Sequence, residues 1–448
     1  MRLTILGGGG FRVPFVHQAL VHADGVAPVD ELVLHDTDAD RLTAVSHVLR
    51  RLPAGASGGP AVRTTTDLDE AVAGTDFVFA AIRVGGLSGR VQDERVALDL
   101  GVLGQETVGP GGIAYGLRTI PVMTRVAQRI AELAPAAYVM NFTNPAGMIT
   151  EAMQAVLGDR VLGICDTPLD LGRRLARVVG VEASRLHLDY VGLNHLGWMR
   201  RVVHDGVDLL PALLADARVE AIEEARIFGL PWLRALGSVP NEYLYYYYRT
   251  RDALAAVEAA GSTRGEFLAD RQQAAYADIL ADPTHSAQRW QQAVAERHGT
   301  YMAEAKSGHD PAPEEHGTPL EEQGYAGVAL QVVGAIARDR SARTILNVRN
   351  GTTVAGLPED AVIEVPCVVD GTGVHPLATP APELHQLGLM QQVKAVERLT
   401  IRAATTGSRD DARLAFALHP LVPSLDVAER LVEGYVATIP EVRAVLEP

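Results

Sequence analysis

The sequence is poor in cysteine, in positive charge and in long apolar runs. Among 448 residues there are only two cysteines, Cys165 and Cys367. Two thiols cannot build a disulfide framework, which excludes the small stapled secreted folds and points to a reducing, cytoplasmic setting. Basic residues number 40 against 55 acidic ones, a net charge of −15. Such a surface cannot neutralise a phosphate backbone, so nucleic acid is excluded as a non-specific partner. An anionic ligand would need a local basic site working against that field. No stretch approaches the ~18 apolar residues of a membrane span, so no membrane partner is expected. The apolar opening residues stop at Gly7–Gly10, far short of a signal peptide. Internal repeats and low-complexity tracts are missing too.

What is present is ordinary globular composition, 47% hydrophobic and 21% charged, which excludes wholesale disorder, collagen and coiled coil. Single cores stop growing at roughly 250–300 residues, so 448 residues imply two units. The first reads as strand, glycine turn, helix, strand: Leu3–Leu6, Gly7–Gly10, an apolar helical pattern over Phe11–Ala23, then Glu31–Leu34 ending in His35-Asp36. Further apolar runs at 77–81, 137–140 and 161–164 alternate with helical patterns such as Arg125–Leu133. That alternation predicts a doubly wound parallel sheet, Rossmann-like, over residues 1–165. Residues 166–448 change texture and predict a mixed α+β unit. Within it, 213–305 is mainly helix and 344–369 is strands with a turn. A long helix over 387–418 breaks near Thr406-Gly407-Ser408, and a loop spans 307–318.

A glycine turn between strand and helix lets backbone approach a pyrophosphate. Here Gly7, Gly9, Gly10 and Phe11 are the candidate turn residues. Asp36 is a candidate acceptor for a ribose hydroxyl, which favours NAD over NADP. The match to G-x-G-x-x-G is partial, because Arg12 stands at the third glycine position. The bland alternative is a plain tight turn. Farther on, Cys165 ends an apolar run at the position where open α/β sheets bind ligands. His195 follows 30 residues later. A thiolate and an imidazole suit a borderline divalent metal and leave positions open for substrate oxygens. By spacing alone, a buried small hydrophobe and a core histidine explain them better.

Longer motifs carry a more specific resemblance. They are Ile82-Arg83-Val84-Gly85-Gly86-Leu87, Gly104–Gly112, Asn141-Phe142-Thr143-Asn144-Pro145-Ala146-Gly147, the Cys165 and His195 segments, Pro240–Tyr247 and Thr263-Arg264-Gly265-Glu266. In these the chain resembles glycoside hydrolase family 4, the NAD- and metal-dependent glycosidases, which work without the usual carboxylate pair. It is most similar to the 6-phospho-β-glucosidases of that family, through the multi-tyrosine segment. Asp166, after the cysteine, instead resembles the 6-phospho-α-glucosidases, where an Asp is the proposed acid.

The resemblance implies a lactate/malate dehydrogenase-like nucleotide domain and a homodimer or homotetramer. Cys165 and His195 match the ligands of a divalent metal, usually Mn²⁺. Arg90, Asn144 and Arg264 match substrate-binding positions, and Arg83 joins the cofactor residues. Glu106 matches a residue that raises the basicity of a catalytic tyrosine, for which Tyr243 is the first choice and Tyr245 the second. Tyr243 and Tyr247 would share one helix face, and such a stripe is more often core. Arg12, Arg83, Arg90 and Arg264 are the candidate phosphate grips. The implied substrate is a phosphorylated disaccharide or aryl glucoside. The implied reaction is NAD-dependent oxidation at C3, removal of the C2 proton, elimination at C1, water addition and re-reduction. Two readings from other classes compete: an NAD-dependent 2-hydroxy-acid dehydrogenase, and a non-catalytic NAD sensor.

Overall fold

The structure is a computed structural model and describes residues 1–22, 29–53, 59–299 and 324–447. The loop read at 307–318 lies outside them. Six strands form the first half: β1 (Arg2–Leu6), β2 (Glu31–His35), β3 (Ala61–Thr65), β4 (Phe77–Ala80), β5 (Tyr138–Asn141) and β6 (Val161–Gly163). All are parallel to their neighbours, in the order β6-β5-β4-β1-β2-β3, the dinucleotide-binding order. Leu3, Ile5, Leu32 and Leu34 are almost wholly buried. Each such side chain contributes about 1.5–3 kcal/mol on leaving water. The edge strand β3 has no apolar-run signal. Its sequence Ala-Val-Arg-Thr-Thr is half exposed, so only its pairing to β2 makes it a strand.

The sheet does not stop at β6. Strands β7 (His187–Leu193), β8 (Leu196–His204), β10 (Val239–Pro240), β11 (Ala342–Arg349) and β12 (Val362–Asp370) continue it antiparallel, in the order β6-β11-β12-β7-β8-β10. Two short strands, β9 (Val207–Asp208) and β13 (Gly373–Pro376), pair with β8 and β12. The fold is thus a doubly wound parallel half joined to a mixed α+β half, as the alternation of apolar runs implies. The β7–β8 hairpin has no clear strand signal in the sequence, because both strands are largely buried and lack clean alternation.

Helix lengths depart more. The pattern at 125–133 belongs to a 25-residue helix, Gly109–Leu133. Its glycine-rich start carries no helical apolar pattern. The glycines serve packing: a Cβ on Gly111 would lie 2.2 Å from the Gln105 carbonyl oxygen, so the helix end presses against the 105–107 loop. The long C-terminal helix breaks where expected, at Gly407 with φ +72, between Leu384–Thr406 and Arg409–Leu418. Ser408 caps the second piece by accepting from the Asp411 N–H. No helix among the described residues is long and apolar enough to cross a membrane.

Candidate active site

The glycine turn sits at the C-terminal end of β1, where the strand order reverses between β1 and β4. Gly7 has φ +90, and a Cβ there would meet the Ala81 carbonyl oxygen at 2.5 Å. The Gly7 and Gly8 N–H groups both donate to the His35 carbonyl, at 2.9 and 2.7 Å. The Gly9 N–H donates to Asp36 Oδ2 at 3.0 Å. Asp36 therefore braces the turn and, with Gly7, Gly10 and Phe11, lines the main cleft. Arg12 is exposed, while Val13 and Pro14 behind it are buried, so helix packing survives without a third glycine. A glycine cradle at a switch point, with an acid at the end of β2, fits a dinucleotide.

Two residues that close this turn have no signal in the sequence. The Tyr276 hydroxyl donates to the Gly9 carbonyl, and the Tyr276 ring meets Phe11 edge-on with centroids 4.9 Å apart. The Trp290 indole donates to the Phe11 carbonyl at 2.9 Å. Their helices, Arg264–Ala281 and Ser286–Gly299, bring these contacts from 267 and 279 residues away in sequence. No local pattern announces that contact.

Beside the turn, Glu106 is held between two arginines. Arg83 Nη1 reaches Oε2 at 2.6 Å and Arg90 Nη1 reaches Oε1 at 2.7 Å. Burial alone would push the Glu106 carboxyl up, but the two guanidinium groups overcome it and hold it at about 2. Arg90 is itself only 6% exposed and also pairs with Glu94 at 2.9 Å. Glu94 in turn accepts from the Gly265 N–H at 2.7 Å, tying the start of the Arg264 helix to this cluster. Arg90 is therefore no surface ion pair. A wholly buried bidentate pair, Arg118–Asp93 at 2.6 and 2.7 Å, lies behind. Arg83 and Arg118 both rest on the Tyr115 ring.

Cys165 follows β6, and His195 occupies the tip of the two-residue turn joining β7 to β8. His195 has φ +61, a left-handed conformation that costs a non-glycine residue about 1 kcal/mol or more and marks functional turns. Both side chains are buried, at 2% and 4% exposure. Burial pushes the Cys165 thiol well up, with Glu364 and Asp166 adding to it. Burial pulls His195 down to about 4, so its ring is neutral.

Thr107 and Gln105 form the hydrogen-bonding surroundings of His195 Nδ1. Gln105 Oε1 accepts from the Thr107 and Val108 N–H groups at 2.6 and 2.7 Å and from the Thr107 hydroxyl at 3.1 Å. Thr107 Oγ1 also lies 3.1 Å from His195 Nδ1; when the hydroxyl gives its proton to Gln105 it accepts from Nδ1–H, which leaves Nε2 with a bare lone pair. A soft thiol and an imidazole with a bare Nε2 fit a borderline divalent metal. Among the described residues no cluster of three or more His, Cys, Asp or Glu side chains would compete for it.

The tyrosine run is not one helix. A 3₁₀ turn, Glu242–Leu244, precedes a four-residue helix, Tyr245–Tyr248. Tyr243 and Tyr247 consequently do not form a shared stripe. The Tyr243 ring stacks on His195 with centroids 3.7 Å apart and planes 1° from parallel. Tyr247 instead lies over His419, and Tyr248 accepts from the Trp198 indole at 3.0 Å. Tyr243 and Tyr246 line the cleft; Tyr245 is buried against the Tyr246 ring.

The same cleft is lined by Arg12, Arg83, Arg90, Glu106, Asn144, Asp166 and Arg264. Asp166 leads into the helix Thr167–Val179. Asn144 precedes Pro145 through a cis peptide bond. Arg264 follows the Thr263 capping box and donates from Nη2 to the Arg297 carbonyl at 3.1 Å. The candidate residues thus gather around one cleft, with Cys165 and His195 buried beside its lining residues Asp166 and Tyr243. Gln105 and Thr107, which lie in the Gly104–Gly112 motif, support them, as does Glu94, which has no signal in the sequence.

Known proteins resemble the chain along both halves. Residues 2–181 match the family model for family 4 glycosyl hydrolases, and residues 190–422 match that for the family 4 glycosyl hydrolase C-terminal domain. A probable 6-phospho-β-glucosidase of Bacillus subtilis is 31% identical over 445 residues, covering 97% of this chain and 95% of the relative. A 6-phospho-β-glucosidase of Escherichia coli is 31% identical over 447 residues, covering 96% and 93%. Among solved structures, the 6-phospho-β-glucosidase of Thermotoga maritima, with manganese, NAD⁺ and glucose-6-phosphate, aligns with a TM-score of 0.82 at 26% identity over 99% of both chains. A 6-phospho-α-glucosidase from gut microorganisms, in complex with NAD and Mn²⁺, aligns with a TM-score of 0.78 at 26% identity over 97% of both. With a glycine cradle at the switch point, a buried thiol and imidazole, and matches along both halves, the chain belongs to the family 4 glycosyl hydrolases.

Proposed function

We propose that this chain hydrolyses 6-phospho-β-glucosides, using NAD and a divalent metal such as Mn²⁺. The observation that carries the reading is the His195–Tyr243 stack beside a cleft whose cations are Arg12, Arg83, Arg90 and Arg264. It pairs a candidate metal ligand with a candidate base in a family 4 chain. Residues 1–165 hold the nucleotide and the remainder closes on the sugar. When bound, NAD supplies a hydride acceptor and donor for sugar oxidation, and the metal supplies Lewis acidity toward sugar oxygens.

Gly7, Gly9, Gly10 and Phe11 would receive the pyrophosphate of the nucleotide, Asp36 would accept from a ribose hydroxyl, and Arg83 would add a cationic contact. Cys165 and His195 would hold the metal. Arg90, Asn144 and Arg264 orient the glycone, and guanidinium groups suit its phosphate. Tyr243 takes the proton from sugar C2. Free tyrosine has a pKa of about 10 and needs a nearby positive charge to act as a base. Asp166 delivers a proton to the leaving oxygen. Within the tyrosine run, Tyr247 is the poorest candidate, because burial pushes its phenol up.

Asp166 also supports a second reading, a 6-phospho-α-glucosidase. A 6-phospho-α-glucosidase of Lacticaseibacillus paracasei is 29% identical over 451 residues. The test is an assay of aryl β- and α-glucoside 6-phosphates with NAD⁺, Mn²⁺ and thiol. Release from the β anomer, lost on removing NAD⁺ or metal, is the expected result. Release from the α anomer alone selects the second reading. Cleavage that survives removal of both overturns both readings, and stoichiometric accumulation of NADH selects a dehydrogenase.

A further inference from the structure

Behind the stacked pair runs a buried polar network that the reaction as proposed does not use. Glu364 lies on β12, opposite Gly192 of β7 and Asn347 of β11. Its Oε1 accepts from Asn347 Nδ2 at 2.8 Å, and its Oε2 accepts from the Tyr190 hydroxyl at 3.1 Å. Tyr190 Oη accepts from Asn241 Nδ2 at 3.2 Å. Asn241 then does two things. Its Oδ1 accepts from the Tyr243 N–H at 3.0 Å, and its own N–H donates to the Gly197 carbonyl of β8 at 2.8 Å. All four side chains are at most 1% exposed. Room for the Tyr190 hydroxyl is made at Gly197, where a Cβ would lie 2.3 Å from it.

The network joins the two segments whose relative placement matters most. Tyr190 and Gly197 belong to the hairpin that presents His195, while Asn241 sets the backbone of Tyr243. A stack at 3.7 Å with planes 1° apart tolerates little drift between them. We infer that Glu364, acting through Tyr190 and Asn241, is a positioning residue that holds the Tyr243 segment in register with the His195 hairpin. This rests on the proposed function for its catalytic meaning. Fold stability alone is a weak reason for such a network, because buried polar groups are commonly replaceable by apolar ones without loss.

The test compares Tyr190→Phe and Glu364→Gln, which keep shape, with Asn350→Ala. Asn350 is equally buried and donates to the Val354, Leu357 and Pro358 carbonyls, but it lines no part of the cleft. Three readouts apply: the ring-current shift of His195 in ¹³C-histidine-labelled protein, Mn²⁺ affinity by electron paramagnetic resonance, and kcat and KM on the glucoside 6-phosphate. The expected result is that both network variants move the His195 signal toward that of free histidine. They also lose about 10-fold or more in Mn²⁺ affinity and kcat, with KM and NAD affinity unchanged. Asn350→Ala lowers the melting temperature and moves none of these. The inference is overturned if the His195 signal stays at its wild-type position in both network variants, or if Asn350→Ala shifts it equally. Should the wild-type chain cleave neither anomer, the proposed function falls, and the His195 signal still decides the positioning role.

Discussion

Replacing Glu106 with Gln removes one negative charge between Arg83 and Arg90 while keeping the side-chain shape. The carboxyl is held at about 2 instead of its ordinary 4.5. At 1.36 kcal/mol per pKa unit, that depression corresponds to about 3 kcal/mol favouring the ionised, folded state. Little screening discount applies, because Glu106 is 14% exposed and Arg90 6%. The sign follows from the depressed acid. Stability is fully present above pH 4.5 and is lost as pH falls toward 2. The variant should therefore be about 3 kcal/mol less stable than wild type at neutral pH, with the gap closing in acid. Unfolding entropy of about 2.1 cal/mol/K per residue over this length makes that about a 3 °C fall in Tm. Scanning calorimetry of both proteins at pH 7 and near pH 3 measures it. Equal Tm values at pH 7, or a gap that persists undiminished near pH 3, would refute the account of Glu106 as an ionised clamp.

Two further outcomes concern stability away from the stacked pair. Arg118→Met strands the buried Asp93 carboxylate and should cost about 3–5 kcal/mol in urea unfolding. Adding Asp93→Leu should restore most of it, and a double variant as unstable as the single would show that the pair is not the cause. His419 accepts from the Leu421 N–H, and burial pulls it from 6.5 down to about 3. The unfolded chain then binds the extra proton, so stability should fall by about 1.4 kcal/mol per pH unit as pH drops below 6.5 toward 3. His419→Gln should flatten that slope, which denaturant midpoints across the range would show.

The parts of this protein legible in its sequence are those governed by near neighbours. The apolar run Leu3–Leu6, the glycines after it and Asp36 after β2 read as a nucleotide turn because strand propensity, positive φ and helix start are local properties. The break at Gly407 is local for the same reason. The family motifs singled out Cys165, His195, Arg90 and Tyr243 as chemical types, without their partners. Tertiary structure decided the rest. It turned Ala61–Thr65 into an edge strand by pairing, set Tyr276 and Trp290 on the turn, and put Arg83 and Arg90 on one carboxylate. It also split the tyrosine run so that Tyr243 alone stacks on His195, and it buried Glu364 behind them. Each of these contacts joins segments that the chain brings together only through sheet order and packing. Local propensity carries no record of such pairings, because their free energy arises when distant surfaces leave water together.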